Sequence, residues 1–160
     1  MPKLSAGLLP YRRIDGDIEV LIGHPGGPMW SGRDAGAWSV LKGAREDDES
    51  ELLEAARREF AEETGHPAPR GPFIGLGEVR MRSRKIVHAW AVEAEFDPST
   101  LRSMRVEVEW PPRSGRLMSV PEIDRVAWCR PAEARRLLNT AQALFVDRLL
   151  RALEGDRPVP

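Results

Sequence analysis

The chain lacks the features that disulfide-bonded, membrane-spanning and dedicated nucleic-acid-binding proteins share. Its only cysteine is Cys129, so no disulfide can form within the chain, which is typical of a reducing compartment. No apolar run approaches the roughly 18 residues of a membrane-spanning helix, and the first residues lack the apolar segment of a signal peptide. The 24 basic and 25 acidic residues nearly cancel, which argues against dedicated nucleic-acid binding. We therefore expect a cytoplasmic protein whose partner is neither a membrane nor a nucleic acid.

What the chain does contain is enough for one globular core. Hydrophobic residues make up 41% of the 160 residues. At roughly 100 to 200 residues per domain, this length fits one domain, and the sequence has no internal repeat or linker. We predict a single domain over residues 1–154, followed by a frayed tail over residues 155–160.

Hydrophobic periodicity and turn residues predict a mixed α/β fold. Asp15-Gly16-Asp17 is typical of a hairpin turn, and two Gly- and Pro-rich segments, 24–36 and 110–115, are predicted as loops. A helix is predicted from Asp48 to Gly65, with Asp48 or Ser50 as its N-cap. The other predicted strands are 4–12, 18–23, 38–41, 73–80, 86–96 and 125–129, and the other helices are 131–138 and 142–153. Because these elements alternate without a regular repeat, we expect a mixed sheet flanked by helices.

The predicted helix 48–65 has an unusual stripe of acid near its end. At 100° per residue, Glu59, Glu62 and Glu63 project into a sector of about 100°. Like charges at this spacing oppose helix formation, and acids in the last turns also face the negative end of the helix macrodipole. One interpretation is a solvated acidic face, with Arg58 relieving Glu62. The other is a site for a hard divalent cation such as Mg²⁺, which takes oxygen ligands. The spacing leaves both open.

The segment 58–65, Arg-Glu-Phe-Ala-Glu-Glu-Thr-Gly, resembles the core of the Nudix box, G-x5-E-x7-R-E-U-x-E-E-x-G-U, where U is a bulky apolar residue. Arginine, three glutamates and glycine match in fixed register. Segments 5–9, 24–28, 77–80, 110–115 and 141–143 also resemble a bacterial subgroup of uncharacterised, MutT-like Nudix hydrolases. The resemblance implies a Nudix-type α/β/α sandwich with a mixed β-sheet.

The first half of the box departs from the family pattern. Counted back from the arginine, the box expects its glycine at position 44 and its first glutamate at position 50, but these are Ala44 and Ser50. Gly43, Glu49 and Glu51 lie one place off, as if the loop carried one extra residue. Either of these two acids is expected to replace the missing glutamate.

The resemblance implies Mg²⁺- or Mn²⁺-dependent hydrolysis of a diphosphate linkage in a nucleoside diphosphate joined to another moiety, by water attack at phosphorus. Glu59 and Glu63 are then the expected direct metal ligands, and Glu62 is a further ligand or the base that orients the water. Arg58 is expected to brace the carboxylates through charge-assisted hydrogen bonds. Gly43 would let the backbone approach metal or phosphate closely, although an ordinary turn glycine fits as well.

Contacts to the substrate are predicted outside the helix. A basic cluster near a strand end could clamp phosphates, although surface charge needs no function. Two loop tryptophans could stack on a base, although loop tryptophans also anchor their own loops. These residues are Arg80, Arg82, Arg84 and Lys85, and Trp30 and Trp110. Arg80 is the strongest candidate of the basic cluster.

The sequence also bears on a rival function and on the roles of the histidines and the cysteine. The changes at positions 44 and 50 also favour a rival function, a noncatalytic nucleotide-sensing module that keeps the Nudix fold. His24, His66 and His88 are too dispersed to form a metal set, and His24 is predicted to be structural. Cys129 is predicted to be a small buried hydrophobic residue rather than a nucleophile. The sequence predicts no oligomeric state.

Overall fold

The computed structural model describes residues 4–155, so most of the predicted tail, residues 156–160, lies outside the described residues. Within this range the chain forms eight strands, three α-helices and a single 3₁₀ turn at Pro98–Thr100. The strands are β1 Leu4–Ile14, β2 Asp17–Pro25, β3 Leu41–Ala44, β4 Phe73–Arg80, β5 Ile86–Glu93, β6 Arg105–Glu109, β7 Leu117–Pro121 and β8 Ile123–Cys129. The helices are α1 Leu52–Thr64, α2 Pro131–Leu137 and α3 Ala143–Glu154.

The central sheet is mixed, as the sequence predicts. Its strands follow the order β4-β5-β1-β2-β8, and β3 also pairs with β1. The β1–β5 pairing is parallel, whereas the other pairings are antiparallel. Asp15 and Gly16 both have positive φ, 51° and 85°, which is the backbone geometry of a tight hairpin turn. The predicted hairpin at the start of the chain is therefore confirmed.

Helices cover both faces of this sheet. Because neighbouring strand residues point to opposite faces, Leu9 and Ile22 pack with α2 and α3, whereas Leu8 and Leu21 pack with α1. Phe145 is the largest fully buried side chain on the first face. The result is the predicted α/β/α sandwich, and it explains why β1 and β2 are apolar over consecutive residues.

Two predicted elements near the site are misplaced. Residues 38–41 were expected to form a strand, but Trp38 and Ser39 form only isolated bridges and the strand runs from Leu41 to Ala44. The reason is that the backbone N–H of Val40 donates to the side-chain Oε1 of Gln142 at 2.8 Å and not to a neighbouring strand. α1 begins only after Glu51, and no side chain caps its amino terminus. The N-caps predicted at positions 48 and 50 are therefore wrong, because contacts of Glu49 hold this segment as a loop.

The end of α1 follows the prediction. Gly65 has φ 78° in the left-handed region and donates its N–H to the carbonyl of Ala61, which is a common helix stop. A β-carbon at Gly65 would meet the carbonyl of Arg102 at 2.6 Å. The glycine therefore both ends the helix and admits a neighbouring segment.

A second, two-stranded sheet was not predicted. β6 and β7 pair around Val108↔Met118, and the predicted loop 110–115 is the tip of this hairpin. This hairpin lies at the surface, where Leu117 is 67% exposed. Its sequence therefore lacks the strong hydrophobic pattern by which a buried strand is predicted. Among residues 4–155, no helix is both long and apolar enough to cross a membrane.

Candidate active site

The acidic stripe of α1 faces inward rather than into solvent. Glu59 and Glu63 are only 6% and 4% exposed, and Glu62 is half-buried. A β-carbon at Gly43 would coincide with the carboxylate of Glu59. The glycine predicted to permit a close approach thus makes room for Glu59 on β3. This burial excludes a merely solvated acidic face.

Arg58 lies at the centre of one half of the site. Its Nη1 donates to Glu59 Oε1 at 2.8 Å and to Glu62 Oε2 at 3.0 Å. Its Nε and Nη2 donate to the two oxygens of Glu49 at 3.0 and 2.9 Å, and Nη2 also reaches the carbonyl of Ala44 at 2.9 Å. These bonds, first of all those with Glu49, raise the pKa of Arg58. One guanidinium therefore fixes three carboxylates, which is the geometry expected of a brace.

The same network explains the altered box. Glu49 makes a two-pronged contact with Arg58, and this hydrogen bonding lowers the pKa of Glu49 despite the opposing effect of desolvation. Glu51 is instead exposed at the helix start. Gly43 and Glu49 keep the G-x5-E spacing of the box. The extra residue therefore lies between Glu49 and Arg58, not between the glycine and the first glutamate.

The other half of the site is built around Glu63. Burial raises the pKa of Glu63 well above its usual range, and repulsion from Glu122 and Glu59 adds to this, while Lys42 opposes it. Burial, then the charge of Glu62, raises the pKa of Glu122. Burial likewise lowers the pKa of Lys42, against the attraction of Glu63. Here the acids are poorly neutralised by the fold itself.

Glu63 and Glu122 line one cleft of about 330 Å³, which we call the acid cleft. Its floor and walls also include two lysines, one from β3 and one from the β4–β5 turn. The complete lining is Ser5, Pro25, Ser39, Lys42, Gly43, Ala44, Glu63, Lys85, Glu122 and Ile123. The cleft therefore combines carboxylates with ammonium groups, a suitable lining for a phosphate bound together with a cation.

Glu122 is the site residue that sequence analysis missed. It lies between β7 and β8, where its N–H donates to the carbonyl of Met104 at 2.9 Å and its carbonyl accepts from Gly26 N–H at 3.0 Å. These backbone bonds fix the position of Glu122, which lines the same cleft as Glu63 of α1. No local pattern marks it, because its partners are distant in sequence.

The carboxylate groups of this site are chemically suited to a divalent cation. Within residues 4–155, no three acidic, histidine or cysteine side chains surround a common point as metal ligands, because Arg58 engages Glu59 and Glu62. Carboxylate oxygens are nevertheless the ligands that Mg²⁺ and Mn²⁺ prefer. Glu63 Oε1 is buried and, in the part of the chain described, has no hydrogen-bond partner. An oxygen in this state needs a cation or a donor.

The predicted substrate residues do not all meet at the acid cleft. Lys85 lines it, but Arg80 lines a second cleft. Arg84 is exposed in the β4–β5 turn with φ 71° and lines neither of these two clefts. The chain reversal after β4 sends neighbouring side chains in different directions, which a linear cluster of charges does not reveal.

The two tryptophans are also separated from the acids. Trp30 is half-buried in the loop after β2, and Trp110 is half-buried at the tip of the β6–β7 hairpin. Neither is among the residues that line the acid cleft. The backbone N–H of Trp110 donates to the carbonyl of Arg116 at 2.9 Å and so closes the hairpin tip. Their predicted stacking on a base stays a prediction.

Two predicted structural residues are confirmed. His24 is 1% exposed, with its ring nitrogens 2.8 Å from Asp124 Oδ1 and 2.7 Å from the carbonyl of Arg33, so it fastens the loop after β2 to β8. Cys129 is buried, and burial raises the pKa of its thiol to about 11. A thiol with so high a pKa is a poor nucleophile at neutral pH.

Comparison with known proteins agrees with this geometry. The NUDIX domain family matches residues 1–149. An uncharacterised 17.7 kDa protein from the e-segB intergenic region of Enterobacteria phage T4 is 28% identical over 128 residues, which cover 79% of this chain and 82% of that protein.

Among solved structures, the E. coli ORF135 protein is 26% identical and has a TM-score of 0.56, with 99% of this chain and 96% of that chain covered. A C. elegans Ap4A hydrolase complex is 19% identical with a TM-score of 0.64, covering 96% and 98% of the two chains. The Nudix domain of Shewanella oneidensis NrtR, complexed with ADP ribose, is 13% identical with a TM-score of 0.63, covering 96% and 89%. The last two likenesses show a shared fold, and the family match over residues 1–149 shows that this chain belongs to the Nudix family.

Proposed function

We propose that the chain is a Mg²⁺- or Mn²⁺-dependent pyrophosphohydrolase that cleaves the diphosphate linkage of a nucleoside diphosphate joined to another moiety. The observation that carries this proposal is the buried Oε1 of Glu63 beside Glu59 and Glu122, which has no hydrogen-bond partner among residues 4–155. A diphosphate is itself an anion, so these acids would repel it unless a cation lay between them. Membership of a family of hydrolases supports the same reaction.

We assign Glu59 and Glu63 as direct ligands of the cation and Glu62 as a further ligand. Glu122 faces Glu63 across the acid cleft and is suited to complete the set, and the close approach of Gly43 brings the β3 backbone to the same place. When bound, the cation would screen charge that develops at phosphorus and acidify a water molecule.

The protein's own side chains divide the remaining tasks. Arg58 holds Glu59 and Glu62 in place through its Nη1 bonds, and is therefore a positioning residue. Glu62 is half-buried, so it can also accept a proton from water, which makes it the candidate base. Lys42 and Lys85 line the acid cleft and are placed to hold phosphate oxygens that the cation does not reach.

Names of structural neighbours suggest which compounds to try. One is an Ap4A hydrolase, and another is a Nudix domain complexed with ADP ribose. Ap4A and ADP ribose are both nucleosides joined through phosphates to a second moiety. We infer that this chain acts on a small molecule of the same chemical class, in the cytoplasm.

The rival function is a nucleotide-sensing module without turnover. It is favoured by Ala44 and Ser50 in the box, and by carboxylates that are not converged among residues 4–155. Against it, the contact of Glu49 with Arg58 restores the first acid of the box. We therefore favour the enzyme.

The test is a substrate panel assayed with Mg²⁺, with Mn²⁺ and with EDTA. It includes dinucleoside polyphosphates, ADP-ribose, nucleotide sugars, NADH and nucleoside triphosphates. We expect metal-dependent hydrolysis of at least one compound, and a loss of about a hundredfold or more in kcat/KM for Glu63→Gln, a typical cost of removing a group that stabilises transition-state charge.

The matched control is Glu54→Gln, which removes an exposed acid from the first turn of the same helix and should leave kcat/KM unchanged. Binding of a panel compound without turnover would support the sensing module instead. Full activity of Glu63→Gln, with its fold verified by circular dichroism, would contradict the assigned role of Glu63.

A further inference from the structure

A second cleft lies beside the acid cleft and has the opposite charge. Its volume is about 410 Å³, and we call it the arginine cleft because Arg80 and Arg82 are its only charged lining residues. Within residues 4–155, neither guanidinium makes an ion pair or a side-chain hydrogen bond. The full lining is Gly36, Arg80, Arg82, Asn139, Thr140 and Ala141. Two positive charges thus share a concave surface without an acid to neutralise them.

The neutral part of the lining offers further hydrogen-bond donors. Asn139 Oδ1 accepts from Ala141 N–H at 3.1 Å, and within residues 4–155 the Nδ2 amide of Asn139 makes no hydrogen bond. The adjacent Thr140 is exposed and brings a hydroxyl. Guanidinium groups with amide and hydroxyl donors form a suitable set for phosphate oxygens, since arginine binds phosphate through two parallel hydrogen bonds.

Two hydrogen bonds connect the segments that line the two clefts. Gln142, next to Ala141 of the arginine cleft, donates from Nε2 to Ser39 Oγ at 3.2 Å, and Ser39 lines the acid cleft. On the β4–β5 turn, Met81 N–H donates to the carbonyl of Lys85 at 2.8 Å. Lys85 faces the acid cleft, whereas both neighbours of Met81 face the arginine cleft. The segments that line the two clefts are therefore in direct contact.

We propose that the arginine cleft binds a phosphate group of the substrate that lies outside the scissile diphosphate. This assignment rests on the proposed function for the identity of the ligand. The acid cleft accepts phosphate only together with a cation, whereas the arginine cleft needs none. Contact with a remote phosphate lowers the free energies of bound substrate and transition state alike, so it acts on KM rather than kcat.

The first experiment measures binding of inorganic tripolyphosphate by isothermal titration calorimetry, in EDTA and at low salt, so that hydrolysis plays no part. Wild-type protein should bind, and Arg80→Gln/Arg82→Gln should raise Kd by about tenfold or more, because charged hydrogen bonds are lost. Arg80→Lys/Arg82→Lys keeps the charge and should recover part of the affinity. Arg151→Gln, which removes an exposed arginine near the far end of α3, is the matched control and should bind as wild type.

Three results would overturn the site itself. The first is the absence of binding to wild-type protein, and the second is binding that survives the Arg80→Gln/Arg82→Gln change. The third is loss of binding in Lys85→Gln with the arginine variants unaffected, which would place the anion in the acid cleft. Circular dichroism and thermal melting verify that each variant is folded.

The second experiment uses the best substrate of the panel. Arg80→Gln/Arg82→Gln should raise KM by about tenfold, with kcat within about twofold of wild type. Tripolyphosphate binding with unchanged KM would make the cleft a site for a free anion and overturn the substrate assignment. A panel without any hydrolysis, but with tripolyphosphate bound at the arginines, would overturn the proposed reaction and leave the anion site established.

Discussion

The two halves of the acidic site differ in how their charge is neutralised. Around Arg58, four carboxylates lie within 4.0 Å of one guanidinium, those of Glu46, Glu49, Glu59 and Glu62. Around Glu63, a buried oxygen has no hydrogen-bond partner within residues 4–155, and the nearby lysine is itself made less basic by burial.

This difference separates carboxylates whose charge the fold itself neutralises from a carboxylate that is left for a cation. A carboxylate held by a fixed arginine contributes to the fold and keeps its geometry. A buried carboxylate without a matched partner costs free energy, which the rest of the fold must offset. The half around Glu63 is therefore the place where binding of an exchangeable cation changes the free energy of the protein most. We expect removal of Arg58 and removal of the Glu63 charge to change the free energy of unfolding in opposite directions.

The largest effect on stability is expected from removing the guanidinium group of Arg58. Arg58→Gln leaves Glu49, Glu59 and Glu62 without their shared partner, and should lower the free energy of unfolding by about 3 kcal/mol, as when one member of a largely buried ion pair is deleted. Urea denaturation measures it. Arg57→Gln, at the exposed neighbouring position, is the control and should stay within about 0.5 kcal/mol. Equal losses in both variants would break the contrast between the two halves.

A smaller effect is expected from filling the space at Gly43. Gly43→Ala places a methyl group where the Glu59 carboxylate lies, and should cost about 2 kcal/mol by overpacking. Adding Glu59→Ala should recover part of that loss, because the clash is removed. At Gly75 a β-carbon has only Trp90 Nε1 nearby, at 4.0 Å, so Gly75→Ala is the control with little expected change. Additive losses in the double variant would contradict the close approach.

The smallest effect should have the opposite sign. In metal-free protein, Glu63→Gln removes a buried charge and should raise the free energy of unfolding by up to about 1 kcal/mol at pH 8. The pKa of Glu63 is raised in the folded state, so the native protein retains a proton that the unfolded chain releases. Wild-type stability therefore falls as pH rises through that raised pKa, and the gain of the variant should shrink toward pH 5.

The same variant tests where the cation acts. At about 100 times its Kd, Mg²⁺ should stabilise wild-type protein by about 2.7 kcal/mol, measured as a rise in melting temperature, and should stabilise Glu63→Gln much less. Glu54→Gln should respond to Mg²⁺ as wild type does. A lower stability of metal-free Glu63→Gln at pH 8 would show that the fold itself neutralises the charge of Glu63.

The part of the site that could be predicted consists of residues that lie close together in the sequence. Three glutamates, an arginine and Gly65 lie on one helix, so their relative positions follow from helix geometry. The beginning of that helix could not be predicted in the same way. The helix begins only after Glu51, because the preceding segment is held as a loop by the contact of Glu49 with Arg58.

Residues from other segments show the limit of sequence reasoning. Arg80 and Lys85 form one basic cluster in sequence, yet the β4–β5 turn directs them into different clefts. Glu122 has no local signal, and only the backbone bonds that fix the start of β8 bring it opposite Glu63.

By itself, the sequence determined that the central strands are apolar on both faces and that the acids share one face of α1. Both features follow from the periodicity of side chains within a single strand or helix. Tertiary structure alone decided that Glu59 fits against Gly43, that Glu63 Oε1 has no hydrogen-bond partner within residues 4–155, and that two arginines line a cleft of their own. Burial and charge compensation depend on which distant segments meet, and no local pattern encodes that.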